Sequence, residues 1–266
     1  LLLMIGVLSD NNKISSPSLR ILLQLVIFII FITIMNLNLI DIRIEILNEL
    51  LKINFISIIF TTFCILVLVN GSNFLDGLNT LVVGYYILVC SFLILLSSNY
   101  NLIVNDNIIL FLIFLIIIYL FNFFGKLYLG DSGSYLISFY MAYFVIEVAL
   151  NNQSISPYLI CFFLWYPAFE NLFSIIRRSN LKKEIHLPDQ KHLHQLIYKF
   201  FVKSKVINYK IVNSFTANLI NLFNLIMFVI FYKYYNETKI LFCAITINIF
   251  LYLILYYLLK KKLKKY

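Results

Sequence analysis

The chain has 266 residues, of which 62% are hydrophobic and only 12% charged. That leaves too little polar surface for a soluble globule of this size, because repeated apolar runs of about 20 residues cannot all be hidden in one core. The net charge of +9 does not point to nucleic acid, since the basic residues sit beside apolar segments, where they set topology and attract anionic headgroups or phosphates.

Leu1 to Leu8 reads as the last turns of a helix begun earlier, so the sequence is expected to be a fragment; no signal-peptide pattern is visible. Runs long enough to span a bilayer follow near 19–37, 53–70, 80–97, 108–124, 134–150, 157–176, 211–232 and 239–259. Only helices satisfy their own backbone groups at that length in hydrocarbon, which predicts an all-α polytopic transmembrane bundle of about eight full spans plus the N-terminal remnant. Residues 1–266 read as a single membrane domain without a repeat, and 177–210 as a basic loop. The segment 38–52 reads as a short amphipathic element on the outer side. Cys64, Cys90, Cys161 and Cys243 each lie in an apolar run without a CxxC pair and are expected to be packing residues.

Lys and Arg divide 17 to 4 between alternate sides of these spans, which assigns the loops at 9–18, 71–79, 125–133 and 177–210, together with the C-terminus, to the cytoplasm. The carboxylates, histidines and glycines gather on that same side. In Asn70-Gly71-Ser72-Asn73-Phe74-Leu75-Asp76-Gly77, the residues Asn70, Asn73 and Asp76 recur at helical spacing, which places them on roughly one face and suits a wet cavity or a ligand. A solvated Gly-rich turn is the competing reading. In Gly125-Lys126-Leu127-Tyr128-Leu129-Gly130-Asp131-Ser132-Gly133-Ser134, Asp131 could hold a divalent metal while the amides of a helix starting near Ser134 hold phosphate oxygens. A plain helix cap explains the same residues.

All three histidines lie in the basic loop, as His186, His192 and His194, beside Arg177, Arg178, Lys182, Lys183, Asp189 and Lys191. Two close imidazoles without a cysteine do not make a closed zinc site, whereas His and Lys beside an arginine pair suit a pyrophosphate. A purely topological basic loop would explain the Lys and Arg but not the paired His. Ser9-Asp10 with Lys13 reads by itself as a solvated loop. Glu170, near the cytoplasmic end of its span, is expected to pair with a base or border the cavity, and Glu147 to sit at the outer interface.

Together these segments resemble the polyprenyl-phosphate N-acetylhexosamine-1-phosphate transferases of glycosyltransferase family 4, the undecaprenyl-phosphate GlcNAc-1-phosphate transferases among them. Asn70 to Leu81 resembles that family's NxxNxxDGxxxL element, Leu129 to Ser134 its [FL]xGDxGS element, Pro167 to Phe173 its PxF[DE]xLF segment, and Pro188 to His194 its PDxxHxH loop. Gly6 to Lys13 resembles a GxxDDxxK element in which Ser9 replaces the first aspartate. Asn79 stands where many members carry an acid and Gln195 where many carry a third histidine, departures that argue for a polysaccharide-initiating branch.

The resemblance implies transfer of N-acetylhexosamine-1-phosphate from a UDP-sugar to undecaprenyl phosphate with release of UMP, at a cytoplasmic site in the bacterial inner membrane. It implies Mg2+, or Mn2+ in its place, held by Asp131 and Asp76. Asp10, Asp76, Asp131, His192 and His194 would be catalytic, with Lys13, Asn70, Asn73, Lys126 and Lys191 binding substrate. It also implies membrane lipids as partners, further N-terminal helices, and is compatible with a homodimer. An inactive or accessory homologue, suggested by Ser9, and a multi-pass transporter or flippase are the alternatives.

Overall fold

The computed structural model describes residues 1–14, 16–180, 191–205 and 207–264. The described residues form helices and contain no strand. The helices in chain order are α1 (Leu2–Asp10), α2 (Pro17–Met35), α3 (Glu45–Leu51), α4 (Asn54–Leu75), α5 (Leu81–Tyr100) and α6 (Asn107–Phe123). They continue as α7 (Gly130–Asn151), α8 (Pro157–Phe163), α9 (Trp165–Asn180), α10 (Leu193–Ser204), α11 (Tyr209–Phe231) and α12 (Thr238–Leu263).

The helix ends follow from local chemistry. Pro17 opens α2 where its missing N–H costs nothing, and the Ser16 hydroxyl accepts the Leu19 N–H at 3.4 Å. Asn36 closes the helix in the left-handed conformation. Along α2, Gln24, Phe28 and Ile32 are buried while Leu22, Val26, Ile30 and Ile34 are exposed, a four-residue periodicity that puts one stripe against the bundle and the other toward lipid. α4 lies at the centre, packed on α2, α7 and α9, and α1 packs along α7.

Among the described residues six helices are long and apolar enough to cross a membrane, or seven if the bent pair α8 and α9 counts as one span, fewer than the eight expected from sequence. Two runs account for the difference. The 108–124 run forms the 17-residue α6, whose rise of about 25 Å is short of the roughly 30 Å hydrocarbon core. The 157–176 run is broken at Leu164, where α8 and α9 meet at 75°. Pro167 is the physical cause: it has no N–H for the Phe163 carbonyl one turn back. That carbonyl instead accepts the Tyr85 hydroxyl from α5 at 2.8 Å.

At the end of the bundle away from the cavity described below, the expected amphipathic segment is the short α3 preceded by a hydrogen-bonded turn. Asp41 accepts from the Arg43 N–H and from Asn48, and the Arg43 guanidinium reaches the Asn236 carbonyl and the Thr238 hydroxyl at 2.8 Å each. The Arg43 side chain therefore ties this segment to the start of α12.

The bend gives a direct test. In Tyr85→Phe the Phe163 carbonyl loses its donor in a buried site, which should cost about 1–3 kcal/mol. A thermal midpoint lower by a few degrees in detergent is expected, and an unchanged midpoint would mean that the bend does not depend on this bond.

Candidate active site

Asp10 ends α1, and its carboxylate accepts two backbone N–H groups at the start of α7, from Asp131 at 2.8 Å and from Ser132 at 3.1 Å. A helix N-terminus presents free N–H groups and the positive end of its dipole, so a carboxylate is a natural occupant. The approach of α1 to α7 needs Gly6, since a Cβ there would sit 2.2 Å from Ser132 Cα. Gly130 turns the chain into α7 with φ +61, and a Cβ at that position would press on both Asp10 oxygens at 3.0 Å. α7 thus starts at Gly130, four residues before the sequence-based expectation, and the amides expected to meet phosphate are held by Asp10.

Asp131 faces a cation. Its Oδ2 accepts from Arg20 Nη1 at 2.6 Å and from the Ser9 hydroxyl, which itself accepts from the same Arg20 nitrogen at 2.7 Å. Ser9, where the resemblance expects an aspartate, therefore acts as a neutral donor to Asp131. Arg20 and Asp131 are each about a quarter exposed, so the pair borders a cavity and is not part of the interior.

Asp76 follows the last turn of α4 and is half-buried. Burial pushes its carboxyl up to about 8, with the neighbouring Asp131 and Asp10 charges adding to the effect and the Gly130 N–H opposing it. The turn after it is pinned by asparagines from other helices. Asn213 accepts the Asn79 N–H at 2.7 Å, Asn122 accepts the Thr80 N–H, and Asn221 donates to the Thr80 and Leu81 carbonyls at 3.3 Å. Asn70 Nδ2 donates to Gln24 Oε1 at 2.9 Å, which joins α4 to α2.

His192 caps α10 and is buried, with Nδ1 2.8 Å from Glu170 Oε1 on α9. Its ring stacks on His194, centroids 5.6 Å apart. His194 is fully buried, neither ring nitrogen has a hydrogen-bond partner among the described residues, and burial holds it well below the usual histidine value, so it is neutral. It lies beneath Gly77, whose Cβ position would be 3.0 Å from His194 Nε2.

Asp10, Asp76, Asp131, Asn70, Asn73 and His192 line one cavity of about 700 Å3, with Arg20 and Arg178 among its walls and Ile21, Phe63, Leu66 and Val67 forming an apolar part. Six segments separated in sequence therefore meet at one end of the bundle. His194 is behind this wall, not on it. Lys13, Lys126 and Lys191 are exposed and do not line the cavity. Lys182, Lys183, His186, Pro188, Asp189 and Gln190 lie outside the described residues. Among the described residues no three His, Cys, Asp or Glu side chains converge as a metal cluster.

Sequence reasoning missed Arg20, Gln24, Tyr135 and Asn171 as neighbours of the site, although all but Gln24 line the cavity. The signal for two of them was present: Arg20 and Gln24 lie four residues apart in an otherwise apolar run, and Gln24 is fully buried there.

A helical bundle with membrane-length spans and carboxylates, amides and imidazole collected at one end defines a multi-pass membrane protein with a polar end cavity. The chain belongs to glycosyl transferase family 4, whose model matches residues 1–149. It is 30% identical over 108 residues to the undecaprenyl-phosphate alpha-N-acetylglucosaminyl 1-phosphate transferase of Thermotoga maritima, a match covering 41% of this chain and 36% of that relative's length. No solved structure matches it.

The raised Asp76 carboxyl has a sign that stability can test. An unfolded chain ionises this group near 4, whereas the folded chain holds the proton to about 8, so stability on this account is full below 4 and erodes as pH climbs between the two values. Asp76→Asn removes the titration. Its thermal midpoint in detergent should match wild type near pH 4 and exceed it by a few degrees at pH 8; a gap that does not grow with pH would refute the assignment.

Proposed function

We propose that the chain transfers N-acetylhexosamine-1-phosphate from a UDP-sugar to undecaprenyl phosphate, releasing UMP, as an early step of bacterial cell-surface polysaccharide assembly. The observation that carries this reading is the shared cavity: Asp10, Asp76, Asp131 and His192 meet there beside two arginines and an apolar wall. Such a lining suits two phosphate-bearing substrates of which one carries a lipid tail. Family membership and the likeness to the Thermotoga maritima transferase support it.

In this reading an oxygen of the lipid phosphate attacks the sugar-linked phosphorus, and the bond from that phosphorus to the bridging oxygen breaks, with the electron pair leaving on UMP. Positioning and charge neutralisation are what the protein must supply. Arg20 and Arg178 offer guanidinium donors to phosphate oxygens, Asn70 and Asn73 offer amides, and Phe63, Leu66 and Val67 receive the first part of the polyprenyl chain. His192 presents a ring nitrogen to the donor's phosphates. Asp10 has a structural share of the work, since it holds the start of α7 and with it Asp131.

Asp76 and Asp131 fit Mg2+, or Mn2+ in its place: they are hard oxygen donors from two elements, and the Arg20 contact leaves Asp131 Oδ1 for an ion. Such an ion would act as a Lewis acid that neutralises the pyrophosphate and the departing UMP. The Asp131 and Asp10 charges, which add to the effect of burial in raising the Asp76 carboxyl, are also ones that would attract a cation to this place.

Ser9 favours a second reading, an inactive or accessory homologue, because a hydroxyl replaces a carboxylate beside Asp131. Membranes bearing the protein, given undecaprenyl phosphate, Mg2+ and labelled UDP-GlcNAc or its relatives, separate the two. Metal-dependent UMP release is expected, and Asp131→Asn should reduce it by about 1000-fold or more, the several kcal/mol such an interaction contributes. If no nucleotide sugar gives lipid-linked product while Ser9→Asp does, the accessory reading takes its place. The 17 to 4 division of Lys and Arg supports a reading in which the cavity and C-terminus face the cytoplasm. A reporter fused after Tyr266 should accordingly be active inside the cell and inactive outside.

A further inference from the structure

Behind the cavity lies a carboxylate that the transfer reaction itself does not use. Glu170 on α9 is fully buried, and both of its oxygens are engaged: Oε1 lies 2.8 Å from His192 Nδ1, and Oε2 accepts the Tyr252 hydroxyl of α12 at 2.8 Å. A buried carboxylate can only accept, and removing it from water is costly unless its partners supply protons. Tyr252 supplies one from its hydroxyl, which leaves His192 Nδ1–H as the other. With Nδ1 so committed, Nε2 is the nitrogen that His192 has available for the cavity it lines. The ring cannot easily turn, because it is buried and stacks on His194.

We propose that Glu170 is a positioning residue, which fixes His192 as its Nδ1–H tautomer and aims Nε2 at the phosphate oxygens of the donor nucleotide sugar, with Tyr252 steadying the carboxylate. This rests on reading the cavity as a nucleotide-sugar site. With the diphosphate bound, Nε2 takes up one proton from solvent, and the ring then donates Nδ1–H to Glu170 and Nε2–H to a phosphate oxygen. An apolar side chain of similar volume would fill the place of Glu170 at less electrostatic cost, and a carboxylate earns its place only by acting on the ring. Glu170, His192 and Tyr252 all lie beyond residues 1–149, so none belongs to the matched region.

The test uses the full chain in detergent with 15N-labelled histidine, His192→Gln serving to assign the signal. Wild type should show His192 protonated on Nδ1. In Glu170→Gln the Tyr252 hydroxyl keeps the amide oxygen, the amide NH2 faces Nδ1, and the proton moves to Nε2. kcat/KM for the UDP-sugar should fall roughly 10- to 100-fold, the usual loss when the partner of a working imidazole is removed, while KM for undecaprenyl phosphate stays unchanged. Adding Tyr252→Phe frees the amide to present its oxygen to Nδ1, and should restore the tautomer and part of the turnover. Wild-type His192 protonated on Nε2 alone, or a Glu170→Gln protein with unaltered tautomer and kcat/KM, would overturn the proposal. If Glu170→Gln does not fold, Glu170→Asp is measured instead: loss confined to the nucleotide sugar supports the proposal, and equal loss for both substrates sinks it. Should wild type turn over no UDP-sugar, the transferase reading falls separately. UDP is then the probe, and a His192 Nε2 resonance that does not shift on its addition overturns the positioning role as well.

Discussion

The carboxylate of Asp10 on the Asp131 and Ser132 N–H groups at the start of α7 is the contact from which the geometry of the polar end follows. A capping carboxylate at a helix start contributes about 1 kcal/mol, with up to a similar amount from the helix dipole. Its larger effect is positional. It fixes the axial register of α1 against α7, a register that Gly6 makes sterically possible, and so determines where Asp131 emerges. Once Asp131 is placed, Arg20 and Ser9 converge on its Oδ2, and Asp76 feels the added negative charge. The loss of Asp10 would therefore displace a neighbouring carboxylate as well as remove its own.

Among the described residues, three carboxylates, Asp10, Asp76 and Asp131, face the same cavity. Asp10 is spent on backbone donors and Asp131 on Arg20, which leaves Asp76 half-buried beside both, and the cheapest state for it is protonated. Such an arrangement is poor for stability, as charged groups gathered at functional sites commonly are. The asparagines that hold the Asp76 turn are consistent with this: Asn122, Asn213 and Asn221 come from α6 and α11, and they fix the backbone without adding charge.

Much of this was legible in the sequence because hydrocarbon permits so few solutions. Apolar runs had to be helices, the polar groups had to share an end, and the helical spacing of Asn70, Asn73 and Asp76 brought them to one wall. What escaped depended on contacts between distant segments. Pro167 is visible in the sequence, but a proline in a membrane helix can be absorbed, and the 75° bend relies on a tyrosine from α5 to satisfy the abandoned carbonyl. His192 and His194 look equivalent in the loop, yet a two-residue step at the start of α10 sends one to the cavity wall and the other beneath Gly77. Arg20 reads as a topological charge until Asp131 is seen across from it.

The two sides of the cavity have different origins in the chain, and that bears on how the site can vary. The carboxylate side is built by α1, α4 and α7, all within residues 1–149, where the family's pattern is matched. The imidazole side is built by α9, α10 and α12, which meet through buried side-chain contacts: Glu170 to His192, Glu170 to Tyr252, and the Phe169 and Phe173 rings against Tyr252. The carboxylate side depends on close backbone approach and tolerates little change, since a single methyl at position 6 would collide with α7. The imidazole side depends on side-chain packing, which accepts substitution so long as volume and donors are kept. Under the proposed function, differences in donor preference are accordingly expected to arise on the imidazole side, while the carboxylate side stays fixed.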